Sequence, residues 1–101
     1  QALTFLNGAF VQEQAAHWAA RLRREAGEDP AAQVRRAFLL ALCRPPQPEE
    51  LRLALDFLSR QERQIEADAR SRGQSAGDAR QRALAAFCVV LLNTNEFFYI
   101  G

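Results

Sequence analysis

Arg36-Ala37-Phe38-Leu39-Leu40-Ala41-Leu42-Cys43-Arg44-Pro45-Pro46-Gln47-Pro48-Glu49-Glu50-Leu51 decides the fold. Its first half is an unbroken run of good helix formers. Pro45 and Pro46 disfavour a helical residue before them, so that helix must end near Cys43. Pro48 then sits well at a first helical position, and Glu49 and Glu50 place negative charge against the positive end of a new macrodipole. Helix, tight turn, helix is therefore written into sixteen residues, and the two helices must pack against each other.

Working upstream, Asp29-Pro30 supplies a capping oxygen and a first-turn residue, so the helix ending at Cys43 begins there. Val34, Ala37, Phe38, Ala41 and Leu42 form its apolar face. Leu39 and Leu40 widen that face, which predicts the most buried helix, at the centre. Gly27 closes an earlier helix from about Phe10 to Glu25, on which Val11, Ala15, Trp18 and Leu22 make one stripe. Gly8, after Asn7, reads as the end of a still earlier helix over Ala2 to Leu6.

Downstream, the helix from Pro48 runs to about Arg70 with Leu51, Leu55, Leu58 and Ile65 inward and Leu53, Ala54 and Phe57 broadening the stripe. Beyond Glu62 it turns polar and is expected to project from the core with Glu66 and Arg70 in register. Ser71 to Gly77 is loop-forming and reads as mobile. Asp78 and Gln81 then have capping-box spacing for a last helix bearing Leu84, Phe87, Cys88, Leu91 and Leu92. Asn93, Thr94 and Asn95 favour caps and turns, so this helix is expected to break before Glu96-Phe97-Phe98-Tyr99-Ile100. The expectation is one all-α domain over residues 1–101, a small bundle of four to five helices built from two helical hairpins.

Composition narrows the function classes. With 13 basic and 12 acidic residues interspersed, the net charge of +1 offers no phosphate-gathering face, which excludes nucleic acid as a partner. All the basic residues are arginine. Arg21, Arg23, Arg24, Arg35 and Arg36 read as a solvated face among carboxylates rather than a glycan site. No apolar run reaches the ~20 residues of a membrane span. A chain starting at Gln1 without methionine reads as a segment of a longer protein.

Chemistry-bearing residues are few. His17 is the single histidine and has no ligand cluster at metal spacing, and no Cys-x-x-Cys-His haem motif occurs, so neither a metal nor another cofactor is expected. Cys43 and Cys88 sit among apolar helix residues and are expected to be free thiols. Asn93, Asn95 and Glu96 interrupt an apolar segment and merit attention, with capping as the simple account; no catalytic constellation emerges. Leu3, Phe5 and Leu6 at one end and Phe97, Phe98 and Tyr99 at the other form a candidate interaction surface, either against each other or against another domain.

Three blocks taken in order, Gln1 to Gly8 with Phe10-Val11, Arg36 to Leu51, and Leu91-Leu92-Asn93-Thr94-Asn95-Glu96-Phe97-Phe98-Tyr99, resemble the C-terminal end of a large planctomycete protein family of unknown function. That resemblance implies an exported or cell-surface protein with long upstream domains, in many members fused to a c-type cytochrome-like domain. The pattern commonly has Gly where Cys43 stands and Ser or Thr where Gln47 stands. The resulting expectation is a non-catalytic helical module that ends a larger exported bacterial protein and contacts an upstream domain or another chain. The alternative is one wall of an enzyme or redox assembly whose reactive residues lie upstream.

Overall fold

A computed structural model describes the backbone of residues 8–100 and the side chains of residues 8–93. Among the described residues there are four helices: α1 (Gly8–Ala26), α2 (Pro30–Leu42), α3 (Pro48–Ser71) and α4 (Ala79–Ile100). The expected helix over Ala2 to Leu6 lies outside the described residues, and among those described the chain is all-helical.

Each boundary has a local cause. Gly27, at φ 81°, donates to the Arg23 carbonyl at 3.0 Å and ends α1 in the left-handed region, where glycine has no Cβ to clash. Asp29 caps α2 through Oδ1, which accepts from the Ala31 N–H at 3.3 Å. Glu50 reaches back to accept from the Gln47 N–H at 2.8 Å, one half of a capping box at the start of α3. At the far end of α3, Gln74 N–H bonds the Ala69 carbonyl and Gly73 N–H bonds the Arg70 carbonyl, with Gly73 at φ 66°. That pair of bonds is a Schellman closure, so the connection that composition marks as mobile begins with a defined turn. Asp78 caps α4, its Oδ1 accepting from the Gln81 N–H at 3.1 Å.

Several expectations change once the helices pack. Gly8, the first described residue, lies within α1 and is not among the positive-φ glycines, so it does not close a helix as expected. The centre of the bundle is α4, which packs along both α1 and α3 and also touches α2. Ala83, Leu84, Phe87, Cys88 and Leu91 of α4 are buried together with Ala15, Ala19, Leu22, Val34, Ala37, Phe38, Ala54 and Leu58. On α2, by contrast, Leu39 is 45% exposed, because a helix touching three neighbours from one side still turns its widened flank to water. The polar half of α3 does not project freely, since Ile65 packs on the core and Ala69 is buried. Small alanines at Ala69 and Ala79 are buried where the chain turns from α3 into α4. Nor does Asn93-Thr94-Asn95 break α4, which is continuous to Ile100. Asn and Thr cost less than ~1 kcal/mol each in a helix interior, too little to outweigh propagation of an established helix.

Candidate functional site

The termini of the helices build two contrasting places. At the first, Arg23 in the last turn of α1 faces the start of α4. Its Nη1 donates to Asp78 Oδ2 at 2.7 Å and to Gln81 Oε1 at 2.8 Å, while Nε and Nη2 grip the two carboxylate oxygens of Glu28 at 3.2 and 2.8 Å. One guanidinium thus ties the end of α1, the turn into α2 and the cap of α4, and it sets α1 antiparallel to α4. Gln81 spends its side chain on Arg23. Arg23 first, and then the Gln81 N–H, hold the Asp78 carboxyl below its ordinary range, and Glu28 and Asp78 raise the Arg23 pKa in return.

Beside this network lies Gln33, only 4% exposed. Its Nε2 donates to the Gly27 carbonyl at 2.6 Å, satisfying the backbone of the α1–α2 turn. Arg80 reaches the same turn, donating to the Glu28 carbonyl at 2.7 Å. Gln33, Leu55, Leu58, Glu62, Arg80 and Leu84 line a small cleft of about 190 Å³ between α2, α3 and α4.

At the second place the surface is apolar. Phe38, Leu42, Leu53, Phe57, Phe87 and Val90 line an open groove of about 510 Å³ where the end of α2, the start of α3 and α4 converge. Leu53 is 51% and Val90 46% exposed, while Phe57 and Phe87 stack obliquely at 6.4 Å in its floor. One rim is held by Arg44, which pairs with both oxygens of Glu50 at 2.8 and 2.9 Å and lies 5.6 Å from the Phe38 ring centroid. Arg44, and after it the Gln47 N–H, pull the Glu50 carboxyl down to about 2.

Asn93 is exposed, and the side chains of Asn95, Glu96, Phe97, Phe98 and Tyr99 lie outside the described residues, as do Leu3, Phe5 and Leu6. His17 is exposed on α1. Cys43 and Cys88 are not bonded to each other. Cys88 is buried, and burial pushes its thiol up to about 12. Cys43 is exposed and not part of an apolar face; it takes φ 58°, a left-handed conformation that favours glycine. Arg21 and Arg36 share Glu25, so that part of the arginine face is neutralised locally.

Sequence reasoning missed the clamp, the cleft and the groove. Arg23 carries no mark that separates it from Arg21 or Arg24. Leu53 and Phe57 read as extra core. The one visible signal was Gln33, a polar residue adjoining the apolar positions Val34 and Ala37.

Fold and site together define a helical bundle in which no group of three or more His, Cys, Asp or Glu among the described residues could hold a metal ion. Within that class, residues 1–58 match the family described as PSD1: Protein of unknown function (DUF1553), and the chain belongs to this family. No curated protein and no solved structure matches it.

Proposed function

We propose that this domain is a non-catalytic packing module whose apolar groove receives a helix from an upstream domain of a larger, exported protein. The observation that carries the reading is the groove itself. Leu53 and Val90 are about half exposed over a floor containing Phe57 and Phe87, and isolated exposed apolar residues need no such shared concavity. An open apolar groove between three helices suits a fourth, amphipathic one. The resemblance to planctomycete proteins with long upstream domains supplies the occupant, and it also supports export. The apolar character of Leu3, Phe5, Leu6, Phe97, Phe98 and Tyr99 supports, in the same reading, a further contact with the upstream domain.

Titration of the 101-residue chain with the purified upstream domain tests this, followed by calorimetry and by tryptophan fluorescence from Trp18. Saturable binding should be weakened at least tenfold by Leu53→Glu and by Val90→Glu, with each variant melting as the parent does. Binding that neither variant disturbs would place the contact elsewhere.

A further inference from the structure

We draw no further inference here: the strongest candidate, the open trough lined by Gln12 of α1, Ile65 of α3 and Ala85, Ala86 and Val89 of α4, is an unpartnered helix face of small apolar residues, and nothing in the structure shows what covers it.

Discussion

The Arg23 end of the bundle and the apolar groove use the same helices for opposite purposes. At the Arg23 end, polar groups from segments 55 and 58 residues apart close on one guanidinium, and the turn into α2 is held by Gln33 and Arg80. Around the groove, Leu53 and Val90 stay half in water beside the buried Phe87 and the partly buried Phe57. The difference teaches where this domain is complete and where it is open. A closed polar network adds register between helices, whereas exposed apolar area stores association energy of about 25 cal/mol per Å² until something covers it.

The sharpest test of that contrast sets Leu22 against Leu53. Leu22 is fully buried beneath the closed side, so Leu22→Ala should cost ~2–5 kcal/mol and lower Tm by roughly 10 °C or more. Leu53→Glu should stay within about 0.5 kcal/mol of the parent in chemical denaturation. Comparable losses at both positions would mean that the groove belongs to the core.

Next in size comes the clamp. Arg23→Ala removes bonds to Glu28, Asp78 and Gln81 at a partly exposed site, and about 1 kcal/mol is expected. Because Asp78 also caps α4, the diagnostic is a double-mutant cycle: Arg23→Ala and Asp78→Ala should destabilise less together than their separate effects summed. Strict additivity would leave the two residues acting alone.

A smaller effect of opposite sign is expected where α2 turns into α3. Cys43→Gly relieves a left-handed conformation and should raise stability by about 0.5–1 kcal/mol, measured by urea denaturation. A loss would show that the Cys43 side chain contributes more than its backbone costs.

The slightest expected change is confined to acid. The folded Glu50 carboxyl titrates at about 2 against an ordinary 4.5, so the unfolded chain binds the proton first. Its stabilising contribution is whole above about 4.5 and fades as pH falls toward 2. The melting temperatures of the parent and Glu50→Gln should therefore differ near neutrality and converge near pH 2. Carbon-detected NMR of the Glu50 carboxyl should place its midpoint near 2; a midpoint at 4.5 would mean that Arg44 does not hold it.

Much of this was legible in advance. Pro30, Pro48, Gly27 and Asp78 act through their own backbone or through neighbours a few residues away, and each marks the helix boundary it was expected to mark. The Gly that the resemblance leads one to expect at position 43 would suit the φ of 58° found there. Less legible was which apolar residue ends up covered. Leu39 and Leu53 widen the apolar faces of their helices, yet both are exposed, and so is Val90 on α4. Periodicity assigns a residue to a face of its own helix and is silent about how far the neighbouring helix extends over that face.

The sequence by itself determined the helices and the turns, because capping, proline geometry and apolar spacing act over one to eleven residues and need no partner from elsewhere. Only the tertiary structure decided that α4 is central, that Arg23 and no other arginine of α1 grips Glu28, Asp78 and Gln81, that Gln33 with Glu62 and Arg80 opens onto one cleft, and that Phe57 and Phe87 floor a groove. Those are meetings of residues from different helices. Which meetings occur depends on how all four helices together bury the most apolar surface while leaving no enclosed polar atom unpaired.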